Sequence, residues 1–224
     1  METLLQKLRP KRWVNLFIVN LRILLGFAFL PAGLKKVLDQ PFTDPENTGT
    51  FHEFLHAFHA TGFFYQFVGA VQLAIAVLLM TQTFATLGAL MAVPVFATIS
   101  VFCWSTSAFF TAAMATLMLF GSVTLVAWDY EKWRGVVPGQ EPAVPATPQA
   151  GRAVPPLDPT LWRRCGSAIL VLYLGISAYS GGIYRPKGVE LHNPAFYILP
   201  LIALFPLVTL AIEHVRRRRP DHQR

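Results

Sequence analysis

Charged residues are scarce in this sequence. Asp, Glu, Lys and Arg make up 14% of its 224 residues, against roughly 25% in an average soluble domain. Hydrophobic residues make up 54% and fall in long blocks that are almost free of charge. A helix of roughly 20 residues crosses a bilayer core about 30 Å thick, and the blocks have that length. This distribution excludes an ordinary soluble domain and predicts an all-α, polytopic transmembrane helical bundle.

Several chemical signatures are also missing. The two cysteines, Cys103 and Cys165, form no CxxC pair, so a dithiol mechanism has no support. The sequence contains no Gly-rich phosphate loop and no Ser nucleophile elbow. No acidic residue lies deep in an apolar block, whereas proton-coupled transport usually leaves one there. The lack of such an acidic residue counts against a secondary transporter.

The net charge of +7 does not by itself indicate a nucleic-acid partner. Lys and Arg collect in the cytoplasmic loops of membrane proteins, which produces the same excess. We therefore expect no nucleic-acid binding. The expected partners are the lipid bilayer and either other membrane proteins or further copies of this chain.

Six apolar blocks predict six transmembrane spans. The spans cover about residues 13–38, 62–80, 84–104, 108–128, 165–182 and 193–212. They divide the chain into a four-span unit, a Pro-rich linker, a two-span appendix and a basic tail: residues 1–128, 129–164, 165–213 and 214–224. Three-residue turns between spans 2, 3 and 4 force these spans into an antiparallel cluster.

The distribution of Lys and Arg predicts the orientation. The N-terminal segment, the linker and the tail together carry fourteen, and the opposite side carries four. Because cytoplasmic loops are enriched in Lys and Arg, both termini and the linker are predicted to be cytoplasmic. The expected location is the inner (plasma) membrane of a bacterium.

Arg22 is a charged residue inside the first span. Counted from Trp13, it lies roughly 13 Å into the bilayer at 1.5 Å per residue. A charge at that depth costs at least about 2.5 kcal/mol, so Arg22 should face the bundle interior or a wet cavity. The alternative is that its side chain snorkels to the headgroups. Gly26 and Gly33 share its helical face and Lys36 lies close to that face, which favours close packing against another helix.

The second span carries a matching face, formed by Tyr65, Gly69 and Gln72. Because this span runs opposite to the first, Gln72 and Arg22 are expected at similar depth. We therefore predict a polar centre inside the bundle in which Arg22 and Gln72 share a hydrogen bond. The alternative is that Gln72 only joins helices, at roughly 0.6 kcal/mol.

The segment between spans 1 and 2 contains an HExxH pattern, His52-Glu53-Phe54-Leu55-His56. In zinc proteases this pattern places two His ligands on one helical face with Glu as general base. His59 adds a third imidazole on the same face. Bulky apolar residues fill the opposite face, so the segment also fits an amphipathic helix on the outer membrane surface. Three interpretations stay open: a surface helix without metal, adventitious or structural binding of zinc or iron, and a protease.

A family resemblance covers about residues 20–128. From Leu21 to Lys36 the chain has an Arg, a Gly four residues later, an aromatic-rich stretch, and then Gly and Lys. Residues 62–79, with Gly69 and Gln72, and the stretch from Thr86 to Leu90 followed by Pro94 continue the pattern. This resembles the DoxX-like integral membrane proteins.

The resemblance implies a four-helix membrane unit. Some DoxX-like proteins look like subunits of respiratory or sulfur-oxidising complexes that pass electrons to quinone. Others are tied to redox homeostasis or to the assembly of membrane proteins. Many members have Glu where this chain has Gln72, so an acid–base role at this position is in doubt.

The resemblance implies a redox- or quinone-associated membrane subunit, or an assembly subunit. Its predicted polar centre comprises Arg22, Gln72, Lys36 and Tyr65. One alternative is a metal-dependent membrane enzyme that uses the HExxH segment. The other is a small-solute channel through the four-span unit. Whether the protein is an enzyme stays open at this point.

Overall fold

A computed structural model describes residues 7–133, 157–179 and 198–218. The described residues form helices and contain no strand. The helices are α1 (Arg12–Val37), α2 (Thr50–Ala60), α3 (Phe63–Thr81), α4 (Ala85–Ser105), α5 (Phe109–Trp128), α6 (Tyr130–Trp133), α7 (Pro159–Tyr179) and α8 (Ile198–Arg218).

Four of these helices, α1, α3, α4 and α5, are long and apolar enough to cross a membrane. Their bounds differ from those of the first four predicted spans by one residue at most. The protein is therefore an integral membrane protein. Predicted spans 5 and 6 extend into residues 180–197, and much of the predicted linker is residues 134–156. Both of these ranges lie outside the described residues.

Tight turns connect α3 to α4 and α4 to α5. Gln82, after α3, and Ser107, after α4, each adopt a φ of 57°. This left-handed conformation lets the chain reverse within a few residues. The turns hold α3, α4 and α5 antiparallel, as their spacing in the sequence predicts.

The spanning helices pack in a unit that comprises Leu21–Arg152. The rings of Phe29 in α1 and Phe96 in α4 stack with their centroids 4.4 Å apart, and Leu25, Leu79 and Leu125 are buried around them. Large apolar side chains also cover the outside of the unit. Such a surface is rare on soluble proteins, and here the lipid bilayer covers it.

The described residues of Met1–Asn20 and Ala153–Arg224 belong to the second unit, in which Glu213 of α8 is buried. The carboxylate is 2% exposed. It accepts hydrogen bonds from Trp162 Nε1 at 3.1 Å, from the Asp158 backbone N–H at 3.2 Å and from Arg217 Nη2 at 3.0 Å. Arg12 Nη2 lies 4.0 Å from it. Glu213 thus joins the beginning of α7, the end of α8 and the beginning of α1.

Candidate functional site

Arg22 is bonded to Asp129, the residue that follows α5. Its Nη2 atom lies 2.8 Å from Asp129 Oδ2. Thr86 Oγ1 donates to the same oxygen at 3.0 Å, and Lys132 Nζ lies 2.8 Å from the other oxygen. The Asp129 side chain is 3% exposed. This cluster ties α1, α4 and α5 together at one end of the bundle, which we call the Asp129 end.

The position of Arg22 differs from the expectation. Thr86 lies in the first turn of α4 and Asp129 lies just beyond α5, so Arg22 lies level with the ends of its neighbouring helices. The expected depth was counted from Trp13, but α1 residues up to Asn20 belong to the other unit. The predicted hydrogen bond between Arg22 and Gln72 is not formed, because each side chain has a different partner.

Gln72 instead pairs with Lys36, towards the opposite end of the bundle. Lys36 Nζ donates to Gln72 Oε1 at 3.1 Å and to the carbonyl oxygen of Ala32 at 3.2 Å. Lys36 and Gln72 are 6% and 3% exposed. The ammonium lies 4.4 Å from the centroid of the Phe42 ring, within the range of a cation–π contact. The structure thus holds a buried ammonium and a buried primary amide side by side.

Tyr65 anchors the loop that encloses this pair. Its ring is fully buried, and its hydroxyl donates to the carbonyl oxygen of Gln40 at 2.8 Å. The Lys36 ammonium lies 5.9 Å from the ring centroid. Tyr65 and Lys36 therefore lie in one cluster with Gln72, whereas Arg22 lies in the separate Asp129 cluster.

Three glycines allow α1 and α3 to approach closely enough for the Lys36–Gln72 contact. A Cβ on Gly69 would lie 2.5 Å from Lys36 Cβ, and one on Gly33 would lie 2.9 Å from the Gly69 carbonyl oxygen. A Cβ on Gly26 would lie 2.6 Å from Met80 Cγ. These distances are below van der Waals contact, so no side chain fits. Gly69 brings the stem of Lys36 against α3, and Gln72 lies three residues further along α3, on the same helical face.

An apolar cavity of about 400 Å³ lies over the pair. Lys36 and Gln72 are among the residues that line it. A third polar residue, Thr98, already donates its hydroxyl hydrogen to the Pro94 carbonyl oxygen at 2.8 Å. The apolar walls come from α2, α3 and α4: Phe54, Phe58, Phe64, Val68, Pro94, Val95, Ile99 and Phe102.

The amphipathic helix α2 covers this cavity. The ring centroids of Phe54 and Phe51 lie 4.4 Å and 5.5 Å from that of Phe102 in α4. Phe58 packs edge-on against Tyr65 at 5.0 Å. The apolar face of the HExxH segment therefore packs on the bundle and forms part of the cavity wall.

The histidines of α2 bind the preceding loop. Thr43 Oγ1 lies 2.6 Å from His52 Nδ1, and His56 Nε2 lies 3.4 Å from the Asn47 carbonyl oxygen. His59 Nε2 lies 3.1 Å from the backbone carbonyl oxygen of Asp39. Within the described ranges, no three His, Cys, Asp or Glu side chains form a group that could hold a metal ion. The predicted ligands His52, Glu53, His56 and His59 do not converge on one point.

Sequence reasoning missed Asp129 and the cavity. The apolar block ends at Trp128, so Asp129 was assigned to the linker. The sequence does contain a signal for this pair. A lone Arg in a span needs a partner, and Asp129 is the first charged residue after the fourth span. The cavity leaves no such signal, since it depends on where α2 lies against α3 and α4.

Comparisons of the chain with protein-family models, with curated proteins and with solved structures found no match. The function is therefore inferred from the geometry of the site.

Proposed function

We propose that this protein is a DoxX-like membrane subunit that binds the head group of a quinone in the cavity over Lys36 and Gln72. One observation carries the proposal: a buried ammonium and a buried amide lie together at a cavity with mostly apolar walls in the spanning bundle. Binding sites of this kind use apolar walls for affinity and a few polar groups for orientation.

The chemistry of a quinone head group matches that lining. Its ring is flat and apolar, and its carbonyl oxygens accept hydrogen bonds. Lys36 places a cationic N–H donor group beside the cavity, and Gln72 retains its –NH2 group as a donor because its contact to Lys36 uses Oε1. Aromatic side chains of the lining, such as Phe58 and Phe64, supply an apolar wall against which the ring can pack.

The membrane topology completes the proposal. The four-helix unit is followed by two further spans, and both termini and the Pro-rich linker lie in the cytoplasm of a bacterial cell. The chain supplies the quinone site, and a partner membrane protein supplies or accepts the electrons. The support for this topology is the excess of Lys and Arg in those segments.

Calorimetric titration of the purified protein in detergent with short-tailed ubiquinone and menaquinone analogues tests the proposal. Replacing the charged donor in Lys36→Met should weaken binding about tenfold or more, the effect of one hydrogen bond to a charged group. Gln72→Leu should weaken it less. Lys35→Met is the matched control, because this neighbouring lysine lies outside the cavity lining.

Each variant is first checked for an unchanged thermal unfolding profile. If wild-type protein binds neither analogue, or if Lys35→Met and Lys36→Met weaken binding equally, the proposal is overturned.

A further inference from the structure

An apolar groove lies in the second unit, which comprises Met1–Asn20 and Ala153–Arg224. It has a volume of about 620 Å³. Leu16 of α1 and Leu207, Leu210 and Ala211 of α8 form its apolar walls, together with Trp13. Arg12 and His214 supply its polar groups.

The groove has one basic end and one apolar end. The α8 residues that line it follow the spacing of a single helical face, from Leu207 to His214. Arg12 lies 4.0 Å from Glu213, so Arg12 and His214 mark the same end. Leu207 and His214 are seven residues apart, which is about 10 Å along a helix.

The Arg12 guanidinium is available for a second anion. Its partner Glu213 already accepts hydrogen bonds from Trp162, Asp158 and Arg217, and the contact from Arg12 is long at 4.0 Å. The Arg12 side chain is itself 36% exposed.

We infer that this groove binds an anionic phospholipid. The phosphate lies between Arg12 and His214, and an acyl chain follows the apolar walls towards Leu16 and Leu207. The inference is independent of the proposed quinone site.

The order of the basic end and the apolar end along the groove supports a lipid rather than a free anion. Its basic end faces the part of α8 that continues into Arg216 and Arg217, and basic segments of this kind lie at anionic membrane surfaces. Trp13, beside Arg12, is 66% exposed, and Trp is enriched at the headgroup level of membranes. A phospholipid in the groove is therefore oriented like the lipids around it.

Native mass spectrometry of the full, delipidated chain tests the inference, with dioctanoyl phosphatidylglycerol, dioctanoyl phosphatidylcholine and inorganic phosphate as probes. Wild-type protein should bind phosphatidylglycerol at least roughly fivefold more tightly than phosphatidylcholine, the factor contributed by one basic residue near an anionic headgroup. Arg12→Gln should lose this preference. Lys11→Gln removes the same charge from an exposed neighbour outside the groove and should retain it.

Leu210→Trp fills the apolar wall without removing a partner of Glu213, and it should weaken the binding of both lipids. A thermal unfolding profile verifies that each variant is folded. The inference is overturned if wild-type protein shows no preference between the lipids, or if Lys11→Gln and Arg12→Gln lose the preference equally. Unchanged lipid binding in Leu210→Trp would also overturn it, as would binding of inorganic phosphate as tight as that of phosphatidylglycerol.

Discussion

Arg22 and Asp129 are joined by a hydrogen bond of 2.8 Å although 107 positions separate them in the chain. The guanidinium side chain is 11% exposed and the carboxylate is 3% exposed. Removing one partner of a buried ion pair leaves the other charge without compensation. The ion pair joins the first and last helices of the four-helix unit at its Asp129 end.

The two partners should not be equivalent in mutagenesis. Asp129→Leu leaves the buried Arg22 unpaired and should lower the free energy of unfolding by about 3–5 kcal/mol. Arg22→Leu should lower the free energy of unfolding by less, because Asp129 keeps Lys132 and Thr86 as partners. Unfolding of the purified protein in mixed micelles with increasing SDS measures both values.

The control for this pair is Thr86→Val, which removes one neutral donor to the same carboxylate and should cost about 1 kcal/mol. Equal losses in Asp129→Leu and Thr86→Val would contradict a buried ion pair at this site.

The close approach of α1 and α3 predicts opposite effects of two Gly→Ala substitutions. In Gly69→Ala the new methyl group meets Lys36 Cβ at 2.5 Å, and such overpacking costs about 1–3 kcal/mol. A Cβ on Gly175 in α7 would have no atom of the described residues within 4 Å, so Gly175→Ala should stabilise by about 0.5–1 kcal/mol through helix propensity. Thermal unfolding of each variant measures the two changes in stability. An unchanged stability in Gly69→Ala would show that α1 and α3 lie further apart.

The histidines of α2 should not determine the metal content of the protein. Each ring contacts a different part of the loop before the helix, so His52/His56/His59→Ala removes local hydrogen bonds. Elemental analysis should give the same zinc and iron content for this variant and the wild-type protein, and their optical spectra should match. The loss of one metal equivalent in the variant would instead support the metal-enzyme alternative.

The proposed orientation of the bundle, with both termini in the cytoplasm, predicts a labelling pattern. Single cysteines at Glu46, between α1 and α2, and at Thr83, between α3 and α4, lie at opposite ends of α3, and both positions are exposed. The background carries Cys103→Ala and Cys165→Ala, since both native cysteines are free and buried. In intact cells a membrane-impermeant maleimide should label position 46, and it should label position 83 only after permeabilisation. The reverse labelling pattern would show that the topology is opposite to the proposed one.

The spanning helices were predictable because hydropathy and length are properties of single segments. The limits of α1, α3, α4 and α5 follow directly from where charge and turn residues interrupt the apolar blocks. The glycine face of α1 was also visible, because a helical period places Gly26 and Gly33 together.

The pairing of polar side chains was harder to predict, because it depends on the relative depth of two helices. Counting the span from Trp13 placed Arg22 too deep, at the level of Gln72. In the structure, Gln72 lies beside Lys36, whose long side chain reaches it along the surface of α3. The sequence pattern of one helix alone does not predict such a contact between two helices.

The contacts of Glu213 have a consequence for biosynthesis. This carboxylate lies near Arg12 and binds residues at the beginning of α7, so its unit is completed only by a segment translated after the four spanning helices. Chains are made from the N-terminus and their domains fold as units. The segment before Leu21 therefore finds its partners in this unit only after α7 and α8 have been synthesised.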